Sequence, residues 1–353
     1  DLNAKAPFVL NTNYWVFEPS TPIANAFCGS LTTNGINVDK KARNSTKYYD
    51  TEVVYIGYVK PQAGTTPKTW TDGGILRLVT NGDTDPGNWA LSTLIDGVGP
   101  VTASIDKMYD DKDTTSGTVI PVSALWLYFG TGRFYYKNST AGIDSATNTM
   151  HLYAIKEPCY SVNQVGGVWS KDLSRHINTA CVADTSFSQL VKSTLTDQSS
   201  DTPNATMLPG KKNGWFIDLD ASTTTYAAER LITTPDARTN GMVVFTTFKP
   251  TADICGFGGE TFFWFTDFKT GGPPPLGTLT GKIVIQLSTG AIVIIDLSKL
   301  PGGGGSGGSG AVSDTLYRGG RQLDVGAGKP PTPKPAADSL KTPVKKILQI
   351  QEK

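Results

Sequence analysis

Aliphatic and aromatic residues gather along this chain into short runs, separated by stretches rich in Gly, Pro, Ser, Thr and Asn. The densest run covers residues 124–136, ALWLYFGTGRFYY. It is unbroken from Leu125 to Phe129; Gly130-Thr131-Gly132 then turns the chain, and Arg133 leads a second aromatic group, Phe134, Tyr135 and Tyr136. A buried strand ending in a sharp turn is predicted, because aromatic and branched side chains fit a pleated, packed surface and paired glycines do not.

The same alternation organises the rest of the chain. Residues 14–17 form a strand-like run closed by Pro19 and Pro22, and residues 29–51 are polar and read as an exposed loop. Strands follow at 52–59 (EVVYIGYV), at 75–80 (ILRLVT) after a Gly73-Gly74 turn, and in WALSTLID after the turn at 81–88, NGDTDPGN. With a loop at 61–71 and GPVTAS at 99–104, this is an antiparallel meander of about four strands, the size of one propeller blade. Looser passes of the same kind are ALWLYFGTGRFYY with MHLYAIKEPCY, then GWFIDL, ERLITTP, GMVVFTTF and ETFFWFTDF, then GKIVIQLS and GAIVIIDL. Their irregular spacing defines no strict repeat period. Residues 161–211 are polar, and only 185–195 place Phe187, Leu190, Val191 and Leu195 on one helical face, which predicts a short helix.

After Leu300 the composition changes. PGGGGSGGSG is a flexible linker. Beyond it LYRGGRQLDV is a candidate strand, and VKKILQIQ near the end alternates like one. The organisation expected is blades over 1–300, a Gly/Ser linker over 301–310, and an extended C-terminal segment over 311–353 that carries a docking strand.

Composition narrows the class. Across 353 residues, 38 Gly and 22 Pro against 4 Met indicate many turns and few long helices. Lys+Arg 32 against Asp+Glu 31 leaves a net charge of +1, so charge implies neither a nucleic-acid partner nor an acidic membrane. No apolar run reaches the ~18 residues of a spanning helix. The start, DLNAKAPFVL, lacks a signal peptide's basic and apolar regions, so the chain is expected to be cytosolic or a mature or excised piece of a secreted precursor.

Candidate chemistry is sparse. Cys28, Cys159, Cys181 and Cys255 form no CxxC pair, and only His151 and His176 are present to assist them, which argues against zinc. Wide, even spacing in a Ser/Thr/Gly-rich chain fits disulfides, with four buried thiols as the alternative. Cys159 and Cys181 bracket a compact loop and are the favoured pair; Cys28 with Cys255 follows only by elimination, and geometry can forbid it. Asp83 and Asp85 follow Asn81 in a calcium-like spacing, but Pro86 and Ser92 stand where such a loop needs Gly and a bidentate acid. A turn with Asx hydrogen bonds is the better expectation. Asp110, Asp111 and Asp113 cluster in YDDKDTTSG as a second metal candidate against a solvated turn.

No GxSxG is present, and His151 begins a strand while His176 falls in a loop, so no nucleophile–base pair is indicated. CGFGGE lacks the Lys of a phosphate loop, and the sequons at Asn44, Asn138 and Asn204 are no more than chance supplies. Catalytic and cofactor residues are therefore expected to be absent. Most aromatics belong to strands and are expected in the core.

Several segments, in order, carry a resemblance. LWLYFGTGRFYY resembles the VYFGTGRYY-like segment of the PilC/PilY family of type IV pilus biogenesis proteins and tip adhesins. STPIA with EVVYIG, GGILRLVT with DPGNWALSTLID, GPVTAS and HLYAIKEPCY resemble the family's "YVGD", "GNLWRFDL", "PITAAP" and "LYGIKDPC" segments. GWFIDL and the stretch from ERLITTP to ETFFWFTDFKTG resemble its closing blades. The similarity runs from about residue 20 to 300.

The resemblance implies a modified β-propeller, incomplete in this chain, of an extracellular, pilus-associated protein. Its implied work is pilus assembly and adhesion, with minor pilins of the tip complex as partners. The family's calcium loop before the "YVGD" strand is represented here by NSTKYYDTE, which keeps Asp50 and Glu52 but lacks the acidic ladder. A propeller smaller than the family's leaves three readings, an excised C-terminal part, blades supplied by another chain, or a shortened member; since open strand edges are costly, a separate chain that completes the ring is the expectation. Two other classes stand beside this one. A cell-surface carbohydrate-binding propeller would use exposed aromatics, and a quinone-dependent propeller enzyme would need a metal and a catalytic acid.

Overall fold

A computed structural model describes residues 7–20, 22–31, 36, 51–64, 69–110, 124–133, 149–162, 175–178, 181, 192–199, 213–238, 241–250, 259–272, 282–286, 292–296, 317–318 and 321–324. The chain is all-β, and among the described residues no closed barrel or propeller ring forms.

The first sheet is an antiparallel meander of four strands in chain order, β1 (Phe27–Leu31), β2 (Val53–Lys60), β3 (Asp72–Val79) and β4 (Ala90–Asp96). The runs at 52–59, 75–80 and in WALSTLID thus become strands, but two expectations are corrected. Gly73 and Gly74 do not turn the chain; they pair with Val59 and Tyr58 inside β3, where the lack of side chains admits the carbonyl oxygens of Gly99 and Ile95. The stretch from residue 29 is not wholly an exposed loop, because β1 extends to Leu31 and buried Ile36 bridges Val53.

The run at 14–17 is also corrected. It is extended, with alternate residues exposed, but it joins no ladder among the described residues. Its Phe17 stacks on Trp89 instead, with ring centroids 5.8 Å apart.

The second sheet gathers β5 (Asp106–Asp110), β6 (Ala124–Gly130) and β7 (His151–Lys156). After a small hairpin, β8 (Tyr160–Val162) with β9 (Arg175–Ile177), it adds β10 (Leu195–Asp197) and β11 (Gly214–Asp218) in the order β10-β11-β7-β6-β5. β6 is the aromatic run of the sequence, buried from Leu125 to Gly130 as expected. His176 lies in β9 rather than in a loop; of the expected helix over 185–195, Lys192 and Ser193 are helical, Leu195 belongs instead to β10, parallel to β11, and residues 185–191 lie outside the described residues.

The third sheet consists of β12 (Arg230–Leu231), β13 (Asp236–Arg238), β14 (Met242–Pro250) and β15 (Gly259–Asp267). β16 (Lys282–Gln286) and β17 (Ile292–Asp296) make a separate hairpin. β18 (Tyr317–Arg318) and β19 (Arg321–Asp324) then return, β19 lying antiparallel to β15, so LYRGGRQLDV does add strands to a sheet. The linker at 301–310 and the final VKKILQIQ lie outside the described residues.

Two apolar cores join the three large sheets in sequence. Val53, Tyr55 and Ile75 of the first sheet pack with Leu125, Leu127 and Phe129 of the second. Trp126, Tyr128 and Trp215 on the second sheet's opposite face pack with Val243, Phe245 and Trp264 of the third. Alternation along β6 is what serves both cores, since successive side chains leave opposite faces. Each large side chain buried in this way contributes roughly 1.5–3 kcal/mol.

Backbone hydrogen bonds add a seam across all three sheets. Ser30 N donates to Thr102 O (2.8 Å), Gly132 N to Pro100 O (2.8 Å), and Leu231 N to Thr131 O (2.9 Å). The seam requires close approach at two glycines. A Cβ on Gly57 would lie 2.6 Å from Val101 O, and one on Gly130 would lie 2.6 Å from Leu231 Cβ.

Candidate functional site

The charged groups most deeply placed in the molecule are tied into its architecture. Arg77 projects from β3 between Tyr55 and Ser92, its neighbours across β2 and β4, toward the second sheet. There its Nη1 donates to Glu157 Oε1, with both side chains buried. Tyr55 Oη donates to Glu157 Oε2 (2.6 Å), Cys159 N to Oε1 (2.9 Å), and Arg77 Nε to Ser92 Oγ (3.2 Å). Burial first, and then the charge of Glu157, holds the Tyr55 hydroxyl protonated far above the ordinary tyrosine range. A carboxylate that accepts three protein hydrogen bonds in a closed interior is a clamp between sheets; a general base needs a lone pair open to substrate.

Glu229 is locked similarly in the third sheet. It accepts from Thr247 Oγ1, Trp264 Nε1 (3.2 Å) and Asp220 N (3.3 Å), while Lys249 Nζ pairs with Asp220 (3.0 Å). At the first sheet's edge, Asp96 accepts from Tyr58 Oη and Lys60 Nζ. Burial opposes ionisation of Asp96, but those hydrogen bonds outweigh it and hold the carboxyl below its ordinary range.

The acidic candidates from the sequence divide. Asp83 Oδ1 accepts from Asp85 N (2.8 Å) and Oδ2 from Asn88 Nδ2 (2.9 Å), while Asp85 Oδ1 accepts from Gly87 N (2.8 Å). Their carboxylates close the turn on itself, as the Asx-turn expectation held. Asp110 pairs with Lys269 Nζ at 2.7 Å and so ties the second sheet to the chain after β15. Asp111 and Asp113 lie outside the described residues, as do Asp50 and the three sequons. Among the described residues no group of three or more His, Cys, Asp or Glu is placed to hold a metal.

Cys159 and Cys181 form a disulfide. It closes the β8–β9 hairpin against the first core, where Asn178 N donates to Cys159 O (2.8 Å) and Asn81 Nδ2 reaches Ile177 O (3.3 Å). Of the other candidate pair, Cys28, on edge strand β1, carries a free, exposed thiol, and Cys255 lies outside the described residues. Reduction of the Cys159–Cys181 bond, or Cys159→Ser, is expected to cost about 2–4 kcal/mol, read as a lower urea midpoint. A midpoint unchanged by reductant would contradict this.

His151 and Asp218 face each other across β7 and β11, with Nε2 3.1 Å from Oδ1. Tyr153 and Phe216 flank the imidazole, and Nδ1 is buried with no partner among the described residues. No nucleophilic side chain completes a triad with this pair among the contacts of the described residues. Burial pulls the imidazole below its usual 6.5, Asp218 and Asp197 pull it up, and Lys192 pulls it down. The neutral form is therefore the one the fold prefers. Its contribution is present above pH 6.5 and is lost as pH falls through the lower folded-state value. Unfolding titrations should show stability declining as pH falls from 6.5 toward that lower value, and a shallower decline in His151→Gln; an equal slope in both would refute the assignment.

Outside these closed networks the described residues also expose apolar side chains. The large exposed hydrophobic side chains are Phe8, Val9, Leu10, Tyr14, Val16, Phe27 and Leu31, all in the N-terminal arm or β1. Phe27 leans on Trp70 (5.1 Å between centroids), which brings the candidate 61–71 loop beside β1. These residues lie in the N-terminal arm, whose Phe17 stacks on Trp89 just before β4, and in β1 at the other edge of the sheet. Sequence reasoning missed their exposure because these residues occur in short, unremarkable runs. No protein-family model, no curated protein and no solved structure matches this chain.

Proposed function

We propose that the chain is a propeller-like module of a type IV pilus system, a non-enzymatic scaffold that holds minor pilins of the tip complex and contacts surfaces. The observation that carries the proposal is the ordered series of PilC/PilY-like segments from about residue 20 to 300. Physical support comes from the sheets: three are joined core to core in sequence, and the first is a four-stranded meander, as successive blades of a propeller are. The incomplete ring would be finished by a separate chain.

The Cys159–Cys181 disulfide favours an oxidising, extracellular setting at the cell surface. The buried carboxylates Glu157 and Glu229 are saturated with hydrogen bonds, which suits a rigid platform whose loops and edges make the contacts. Asp83 and Asp85, the weak calcium candidates, accept backbone hydrogen bonds within their own turn. In a piliated organism carrying the gene, its deletion should reduce the number of surface fibres counted by electron microscopy, and the intact gene should restore them. Fibre number and attachment unaffected by deletion would overturn the proposal.

A further inference from the structure

The two edges of β15 are filled in different ways. On one side β14 pairs with every residue from Gly259 to Asp267. On the other, β19 pairs only with Thr261, Phe262, Phe263 and Trp264. β14 directly precedes β15 in the chain, whereas β19 returns to it after a long excursion. Within that excursion β16 and β17 pair only with each other among the described residues. PGGGGSGGSG follows over 301–310, with the composition of a tether.

A strand that arrives on such a tether meets the sheet as a bound peptide does, through main-chain hydrogen bonds to an edge. The edge it meets is set up to hold one. Phe262 and Trp264 belong to the core shared with the second sheet and are 6% and 2% exposed. Register places Leu323 opposite Phe262 and Arg321 opposite Trp264. Aromatic residues pair best across strands with aromatic or branched apolar ones. β19 therefore matches the edge at one of these two positions and leaves a charged residue at the other.

We infer that the free edge of β15 is a strand-acceptor site for an extended segment of another polypeptide. The segment it fits runs antiparallel to β15 and carries apolar residues at two alternate positions, opposite Phe262 and Trp264. β18 and β19 are the resident segment that such a partner displaces, and until then they keep the edge from lying bare. The tether holds β19 at an effective concentration on the order of 1 mM, so an unlinked segment wins only by pairing better than β19 does. Nothing in this inference depends on the pilus reading.

The test uses the full chain with a specific protease site placed within residues 301–310. After cutting, at about 1 μM and so far below the effective concentration, residues 311–353 should separate from the body on gel filtration. The body should keep its near-UV spectrum, while deuterium exchange over 261–264 becomes faster. A synthetic peptide of residues 315–326 should restore slow exchange there. The same peptide with Arg321→Val should do so at about tenfold lower concentration. A cut segment that still co-elutes overturns the inference, as does a body that loses its near-UV spectrum on release, because β19 is then a fixed part of the fold. An Arg321→Val peptide no better than the native one overturns the pattern assigned to the partner. A chain that exchanges strands but captures no pilin leaves the inference standing and counts against the proposed function alone.

Discussion

Replacement of Arg77 by alanine is expected to cost about 3–5 kcal/mol of stability, the largest loss anticipated for any single charged residue. The cause is what remains. Glu157 stays buried between two sheets with only Tyr55 Oη and Cys159 N to answer its charge. Arg77→Lys should recover little, because an ammonium lacks the planar fork that reaches Glu157 and Ser92 together. Arg77→Met combined with Glu157→Leu should restore most of the loss, since an apolar pair of similar volume removes the unanswered charge. Urea unfolding at constant m-value measures each step. A loss below about 1 kcal/mol for Arg77→Ala would mean that the pair does not clamp the sheets.

The second large effect is steric. Gly57→Val and Gly130→Val should each cost more than about 3 kcal/mol or prevent folding, because Gly57 lies against the Val101 backbone and Gly130 against the buried Leu231 side chain. A side chain at Gly57 would meet Val101 O at 2.6 Å and Val101 Cγ1 at 2.7 Å, and one at Gly130 would meet Leu231 at 2.6 and 2.7 Å. Relief would require separating the backbone seam from Ser30 to Leu231. Ile56→Val, one residue away but on the half-exposed outer face, should cost about 1 kcal/mol or less. Similar thermal shifts for Gly57→Val and Ile56→Val would refute the close approach.

Strands that bury a continuous apolar run were legible from residues alone. EVVYIGYV, ALWLYFG and GMVVFTTF each fall within a residue or so of an observed strand. In β6 the unbroken run supplies alternate side chains to two cores. Elements that depend on a distant partner were not legible. FCGSL has no periodic pattern and becomes β1 because β2 offers it an edge. The run at 14–17 has the alternation of a strand, but apart from the single bridge of Tyr14 to Leu10 it joins no ladder among the described residues, so it stays an arm.

Leu195 leaves its helical pattern because β11 supplies a parallel partner. The Arg77–Glu157 clamp joins residues 80 apart, and nothing local to either announces the other. By contrast, the Cys159–Cys181 pair and the Asx turn at Asp83 and Asp85 are short-range features, and spacing alone was enough to anticipate them.

The account turns on the chain being a scaffold for pilus proteins. Affinity capture with the tagged full chain from sheared surface fibres, with captured proteins identified by mass, tests that most directly. Minor pilins enriched over an untagged control are the predicted result. Recovery of the tagged chain in good yield with no pilin above control would contradict the account.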